Sequence, residues 1–385
     1  MSDITEEDSS SSLFSPSDCH SHSLVRDPEY YFEDGNVVIL VQNVLFKVIK
    51  VHKSRLSKDS STFEAMFGLP PETERVAEGF DDDNPVVLGD TSGQFRIVNL
   101  VRPHEIIKAS TPGAGHDWSA FERFCDLAQM VHKYCFRSTE AWVLSTFVQW
   151  LKPTRLIPPR ISTTATTGLN SNGTATALNR SSEHMAVADK VLLERLRRIL
   201  ELSVLCEETE LHNAIVQRLQ EELGLPNADL PWFIMLGEHH NIPTLTGTAY
   251  YALMVQGQDR WIALTKEGTL SNPQLSKLHY GYYALVSLWE KYRTMPPVIP
   301  SCTHYGHNCR QRWQTYWKDL MKDDHIMAKF PADVLGRLEM VLSQLYSYNG
   351  IMDMHQECRS LAVSTIKNML SEAKMNLASN FELSV

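Results

Sequence analysis

The alternation of apolar and polar residues divides the chain into three zones. Residues 26–151 mix short β-branched runs with helix-like spacing, whereas residues 187–385 show helical spacing almost throughout. The segment between them, residues 152–186, is rich in Ser, Thr, Pro, Gly and Asn. Such a composition buries too little apolar surface to offset the entropy lost on ordering. The pattern therefore predicts an α+β front domain, a flexible linker and a mostly α-helical back domain.

The front zone begins with a pattern that is typical of a β-hairpin. Val37–Val41 is a β-branched run, Gln42-Asn43 offers a turn, and Val44–Val48 resumes the apolar run. Two such runs across a short polar turn predict paired antiparallel strands. The acidic loop Glu78–Asp83 then leads to a further expected strand at Pro85–Leu88. We therefore expect a small sheet at the start of the front domain.

Helical signals follow the hairpin. Ser61 and Glu64 have the spacing of a capping box, which predicts that a helix begins there, and Gly68 with the prolines after it ends that helix. Phe121–Phe136 and Thr139–Leu151 carry apolar residues at helical intervals. The front domain is therefore expected to pack several helices against its sheet.

The back zone contains local signals for helix starts and for a core. Asp229 can cap a helix over Leu230–Leu236. Apolar residues in Leu275–Trp289 recur at alternating steps of three and four, which predicts a seam that packs in a core. Trp313 and Trp317 lie one helical turn apart and form one aromatic face. We expect this face to anchor the core rather than to bind a ligand.

Several stretches in the first third of the chain follow one another in a characteristic order. They are Arg26–Phe32, Asp34–Val41, Leu45–Val48, His52–Leu56, Ser61–Phe67 and Leu127–Phe136. In this order the stretches resemble a BTB/POZ domain, most like those of mushroom-forming (basidiomycete) fungi. The resemblance implies an α+β fold that associates with other proteins by burying flat apolar surface between two chains.

The resemblance also implies an interaction surface near the hairpin and the two helices after it. We expect the surface to involve the apolar residues Val37, Ile39, Leu56, Phe63, Met66 and Phe67. The expected partner is a second copy of the chain or another BTB protein.

Four local features depart from the family pattern. Asn36 stands where many members have Asp, and Ile49–Val51 is a three-residue insertion after the second strand. The helix expected around Phe95 is short, because it must end before Pro103. Cullin-binding members have an apolar-x-Glu step that Leu69–Glu72 misses by one residue. Association is therefore favoured over the alternative, a substrate adaptor of a cullin-type ubiquitin ligase.

The sequence contains few candidates for catalytic or metal-binding residues. Cys302–Cys309 contains two cysteines and two histidines, which are zinc-binding residue types, but four ligands within one short loop would be strained. Gly237–His240 lacks the His-Glu-x-x-His spacing of a metalloprotease. His132 and Cys135 could touch on a helix, but a nucleophile needs a third, orienting group. We therefore expect no catalytic residues, metal or cofactor, with a metal-dependent enzyme using Cys302–Cys309 as the alternative from another class.

Charge and composition restrict the expected binding partners and the expected cellular location. The 46 acidic residues exceed the 36 basic ones, which argues against direct nucleic-acid binding. Residues 1–25 are acidic and Ser-rich without the features of a secretory signal, so we expect a disordered tail. No apolar run is long enough to span a membrane. The seven cysteines are scattered and odd in number, which favours reduced thiols and an intracellular location, cytoplasmic or nuclear.

Overall fold

The structure is a computed structural model with two compact units, Met1–Ala214 and Ile215–Val385. It describes residues 24–35, 37–48, 61–68, 78–100, 118–152, 175–299, 308–347, 351 and 353–382. Several features predicted from the sequence lie outside the described residues. They are most of the tail 1–25, Asn36, Ile49–Val51, His52–Leu56, Leu69–Glu72 and the part of the linker at 153–174.

A four-stranded mixed sheet opens the front unit. Its strands are β1 (Val25–Tyr31), β2 (Val37–Val41), β3 (Val44–Val48) and β4 (Val86–Leu88). They lie in the order β1-β3-β2-β4. Strands β2 and β3 are antiparallel, with Val41 opposite Val44, so Gln42 and Asn43 form the two-residue turn. Strands β1 and β4 run parallel to β3 and β2 respectively. The predicted hairpin and the strand after the acidic loop are confirmed.

Strand β1 is an outer strand that the apolar pattern did not predict, because it carries charged residues and Pro28. Proline is tolerated at sheet edges, where no neighbouring strand needs its missing N–H. The buried carboxylate of Asp27 holds the strand in place. It accepts the backbone N–H groups of Glu29 at 3.0 Å and Tyr30 at 2.9 Å. It also accepts the Arg96 Nε–H at 2.7 Å.

Among its described residues, the front unit contains five helices besides the start of the helix at which the two units divide. They are α1 (Thr62–Gly68), α2 (Ser92–Leu100), α3 (Trp118–Lys133), α4 (Arg137–Leu151) and α5 (Ala175–Leu205). The Oγ of Ser61 accepts the Glu64 N–H at 3.3 Å, as expected for the cap of α1. Helix α2 is short, and its Phe95 is buried edge-on against Phe46 of β3, with ring centroids 5.0 Å apart. The short helix therefore contributes to the core beside the sheet.

Helices α3, α4 and α5 pack around an aromatic cluster. Phe124 lies 4.7 Å from Trp150, measured between ring centroids. The guanidinium of Arg195 on α5 lies 5.4 Å from the centroid of Phe121 on α3. Helix α5 begins at Ala175, inside the predicted linker, and it packs on α3. For this reason the two compact units divide the chain later than the boundary predicted from composition.

The described residues of the back unit form helices and the turns between them, with no strand, and the division between the units falls within α6. Its helices are α6 (Thr209–Leu223), α7 (Leu230–His239), α8 (Pro243–Val255), α9 (Gln258–Lys266), α10 (Asn272–Thr294), α11 (Cys309–Leu320), α12 (Asp324–Met327), α13 (Val334–Ser347), α14 (Gln356–Met375) and a 3-10 helix (Ala378–Phe381). None of the helices in the described ranges combines the length and the apolar composition needed to cross a bilayer.

The local predictions for the back unit are confirmed. The Oδ1 of Asp229 accepts the Trp232 N–H at 3.3 Å and caps α7. Trp313 and Trp317 are buried, with ring centroids 5.5 Å apart. The seam residue Leu285 on α10 is buried as well. These features were predictable because each depends on residues that are close in the sequence.

Two glycines allow the 3-10 helix to pack closely on α8 and α10. A Cβ atom at Gly247 would lie 2.6 Å from the backbone nitrogen of Ala378. A Cβ atom at Gly281 would lie 2.2 Å from the ring of Phe381. That ring stacks on Tyr250, with centroids 5.3 Å apart. The glycines therefore make room for the segment that follows α14.

We predict that Gly247→Ala destabilises the back unit by about 1–3 kcal/mol, because the added methyl group must displace backbone rather than a flexible side chain. Urea unfolding followed by tryptophan fluorescence would show a lower midpoint. Gly93→Ala is the matched control, since its Cβ would meet nothing within 4 Å. Equal midpoints for Gly247→Ala and the native chain would contradict the packing described here.

We also predict that Asp27→Asn destabilises the front unit by about 1–3 kcal/mol at neutral pH, because buried hydrogen bonds to a charged group are lost. Burial alone would raise the pKa of Asp27, but the amides of Glu29 and Tyr30 and the Arg96 guanidinium lower it overall. The stabilisation is therefore present at neutral pH. It is lost as the pH falls below the ordinary carboxylate value of about 4 and through the lowered pKa.

Urea melts of the native chain and of Asp27→Asn should consequently converge in acid. The exposed carboxylate of Asp83 supplies the control, and Asp83→Asn should match the native chain at every pH. A difference between native and Asp27→Asn that persists unchanged in acid would argue against an ionised, buried Asp27.

Candidate functional site

Three of the six residues predicted to form an interaction surface lie in the interior of the front unit: Val37, Ile39 and Phe63. Ile39 is enclosed because it pairs with Phe46 on one side and with Val86 on the other. Met66 is half-buried, whereas Leu56 and the side chain of Phe67 lie outside the described residues. The three buried residues act as core in this chain. A partner surface that includes Leu56, Met66 and Phe67 stays a prediction.

The ring of Phe63 ties α1 to the turn that ends α3. It stacks on Tyr134, with ring centroids 4.5 Å apart. The backbone N–H of Thr62 donates to the carbonyl of Tyr134 at 3.0 Å. The Tyr134 hydroxyl and the Lys133 ammonium both donate to Asp90, which is buried just after β4. Burial first, and then Asp90, raise the pKa of the Tyr134 hydroxyl.

The acidic loop predicted before β4 is fixed to the sheet at two points. The N–H of Val38 donates to the carbonyl of Gly79 at 2.8 Å, and Gly79 adopts a φ of +84° that favours glycine. The Asp82 carboxylate accepts Arg26 at 2.6 Å and the Tyr31 hydroxyl at 2.5 Å. The loop is therefore bound both to β2 and to β1.

Large apolar side chains are exposed at both outer strands. Phe80 in the acidic loop is 72% exposed and Val87 on β4 is 65% exposed. At the start of β1, Leu24 is 47% exposed and Val25 is 56% exposed. Natural edge strands avoid pairing with other chains when they carry charges or proline, and β1 carries Pro28. Strand β4 lacks both features, so we treat Phe80 and Val87, here called the β4 edge, as the candidate association surface.

A second cluster lies where three helices of the front unit end or begin. His132 is in the last turn of α3, Glu140 is in the first turn of α4, and Cys206 directly follows α5. The Nδ1 atom of His132 lies 2.7 Å from the Oε1 atom of Glu140. One nitrogen, oxygen or sulfur atom from each residue lies within 4.8 Å of the other two. Within the described ranges, this is the one group of His, Cys, Asp and Glu with metal-site spacing.

Burial and the neighbouring carboxylates keep the Cys206 thiol protonated. Burial first, then the charge of Glu140 and a hydrogen bond to it, and then the charge of Glu208 raise the thiol pKa to about 12. A thiol is a weak nucleophile until it is deprotonated. The His132, Glu140 and Cys206 cluster therefore does not resemble an activated cysteine nucleophile.

The sequence suggested that His132 could contact Cys135, but the side chain that lies near His132 in the structure is that of Cys206. Cys135 is exposed, and its contact with His132 is made by the backbone, where its N–H donates to the His132 carbonyl at 3.1 Å. Its φ of +58° turns the chain between α3 and α4. The cysteine that joins the cluster, Cys206, lies beyond α4 and α5, and no local pattern marks it.

The other candidate chemistry of the sequence lies in the back unit. Of the Cys302–Cys309 stretch, only Asn308 and Cys309 are described, and Cys309 is buried with its Sγ accepting the His355 N–H at 3.3 Å. A polar groove of about 600 Å³ lies beside α11. Its walls include Asn308, Gln311, Arg312, Asp319 and Gln344.

The Gly237–His240 stretch has a structural role at Glu238. Its carboxylate accepts the Lys277 ammonium at 2.6 Å, the Tyr250 hydroxyl at 2.7 Å and the Gln274 amide at 2.8 Å. Burial alone would raise the pKa of Glu238, but these donors lower it overall. Glu238 thus links α7 to α8 and α10.

Comparison with protein-family models, with curated proteins and with solved structures gives no match for this chain.

Proposed function

We propose that this chain is a protein-association protein whose front unit is BTB/POZ-like and pairs with a second copy of the chain. Two features support the proposal. The motif order of the sequence resembles that family, and the front unit has a small mixed sheet followed by helices. Pairing with another BTB/POZ-like protein would use the same surface.

The exposure of the β4 edge is the observation that carries the proposal. Phe80 and Val87 place large apolar surface in water beside an outer strand that has no second strand partner among the described residues. Burying one such side chain is worth roughly 1.5–3 kcal/mol. A two-fold dimer presents the same patch on both copies, so each side chain contributes twice. Replacing both residues should therefore weaken pairing by well over about tenfold.

The test measures the mass of the full chain by sedimentation equilibrium over a wide range of protein concentration. We predict that the native chain approaches the mass of a dimer as its concentration rises. The double variant Phe80→Ser with Val87→Thr should stay monomeric over the same range, because it removes the apolar surface without entering the core. Circular dichroism of the variant should match that of the native chain.

The opposite edge of the sheet supplies the matched control. Leu24→Ser with Val25→Thr removes a comparable exposed apolar area from β1 and should leave the dimer unchanged. A native chain that is monomeric at every concentration would overturn self-association. A dimer that survives the change at the β4 edge, or that is lost in the β1 control, would show that the contact lies elsewhere.

A further inference from the structure

The cluster of His132, Glu140 and Cys206 joins three helix ends that the sequence alone does not connect. Backbone hydrogen bonds fix two of the three positions, since the Glu140 N–H donates to the Phe136 carbonyl at 2.8 Å and the Cys206 N–H donates to the Leu202 carbonyl at 2.9 Å. All three side chains are partly shielded from solvent. The cluster is thus held by three separate elements of one compact unit rather than by a single loop.

The distances suit a small tetrahedral ion. Zinc bonds of about 2.0–2.3 Å place neighbouring ligand atoms about 3.3–3.8 Å apart. The candidate ligand atoms here all lie within 4.8 Å of one another, and one pair is in direct hydrogen-bond contact at 2.7 Å. Rotations of the side chains would open the short pair and close the longer separations.

The chemical types of the three ligand atoms favour zinc over calcium or magnesium. A thiolate is a soft ligand that calcium and magnesium do not favour, since both prefer oxygen. An imidazole nitrogen, a thiolate sulfur and a carboxylate oxygen are all common zinc ligands. Three protein ligands leave one tetrahedral position, which water fills in such sites.

The electrostatic surroundings favour a cation. The charges that act on the Cys206 thiol come from Glu140 and Glu208, which are both carboxylates. The Cys206 thiol donates a hydrogen bond to Glu140. A divalent cation would replace that proton, because a thiol that coordinates zinc is deprotonated. The ionised Glu140 and Cys206 would then balance the two positive charges of the ion.

We propose that His132, Glu140 and Cys206 bind one zinc ion that clamps the ends of α3 and α5 to the start of α4. The thiol proton leaves to solvent when the ion binds, and a water molecule completes the tetrahedron. This site is separate from the β4 edge, and it does not depend on the association proposed above. It also differs from the Cys302–Cys309 stretch that the sequence suggested.

The test uses the purified full chain, stripped of metal with a chelator and then titrated with zinc or with cobalt. We expect one equivalent of zinc to bind, as measured by elemental analysis after dialysis. Cobalt should give the absorption of a tetrahedral site together with a thiolate-to-cobalt charge-transfer band. Cys206→Ser and His132→Gln should each weaken zinc binding by more than about tenfold and should change the cobalt spectrum.

Two control variants separate this site from its rivals. Cys135→Ser removes the exposed thiol nearest to His132 in sequence and should leave zinc binding unchanged. Cys302→Ser with Cys309→Ser removes both cysteines of the back-unit stretch and should also leave it unchanged. Zinc binding that is lost in this double variant, or that persists in Cys206→Ser, would overturn the proposal.

Thiol protection in the native chain tests the site without any substitution. Alkylation followed by peptide mass spectrometry should show that zinc slows the modification of Cys206 at least tenfold and leaves that of Cys135 unchanged. This measurement decides the matter even if Cys206→Ser fails to fold. A native chain that binds no zinc, or in which zinc leaves the rate at Cys206 unchanged, would show that the cluster is only a hydrogen-bonded contact.

Discussion

Between α3 and α4 the chain reverses direction in a turn whose side chains reach four other parts of the front unit. Cys135 adopts a positive φ, and the Phe136 N–H returns to the Val131 carbonyl at 2.8 Å, so the turn is closed by its own backbone. Lys133 and Tyr134 donate to Asp90, while His132 approaches Glu140. Through Phe63 and Cys206 the same turn also contacts α1 and the end of α5. The front unit depends on this single reversal.

The buried carboxylate of Asp90 is the point at which the turn fixes the sheet. Asp90 follows β4 directly, so its contacts with Lys133 and Tyr134 bind the end of β4 to the end of α3. Removing either donor would leave the buried carboxylate of Asp90 with one partner fewer, which is destabilising. The same contacts therefore fix the place of the β4 edge, although Phe80 and Val87 are far along the chain from α3. The contacts of Asp90 therefore position both the candidate association surface and the end of α3.

The elements that the sequence predicted correctly are those that neighbouring residues determine. The hairpin across Gln42-Asn43, the cap at Asp229 and the aromatic face of Trp313 and Trp317 need only local pattern and short-range hydrogen bonds. Strand β1 was missed because its charged residues and Pro28 hide the strand pattern. It is held by its pairing with β3 and by contacts between distant residues, such as that between Asp27 and Arg96, which are 69 residues apart.

The interaction residues were assigned to a surface for a related reason. An apolar run such as Val37–Val41 has the same pattern whether its strand is covered on one face or on two. The acidic loop is bound to β1 through Asp82 and to β2 through Gly79, and the sequence does not reveal these contacts. The cluster at His132 was equally hidden, because its three members come from separate helix ends and only Cys135, the wrong cysteine, lies near in sequence. Contacts between distant segments therefore account for the features that the pattern could not predict.

The partly buried carboxylates of Glu238 and Glu140 differ in their neighbours, and for this reason we propose a metal ion at Glu140 and not at Glu238. Glu238 already has a cation, since Lys277 donates to it together with Tyr250 and Gln274, and its pKa is lowered as a result. At Glu140 the neighbours are the imidazole of His132 and the thiol of Cys206, and the second charge that acts on the thiol is the carboxylate of Glu208. Burial first, and then the charge of Glu140, raise the pKa of the Cys206 thiol. The network around Glu238 thus contains its own cation, Lys277, whereas the zinc ion proposed above would supply one to the cluster at Glu140.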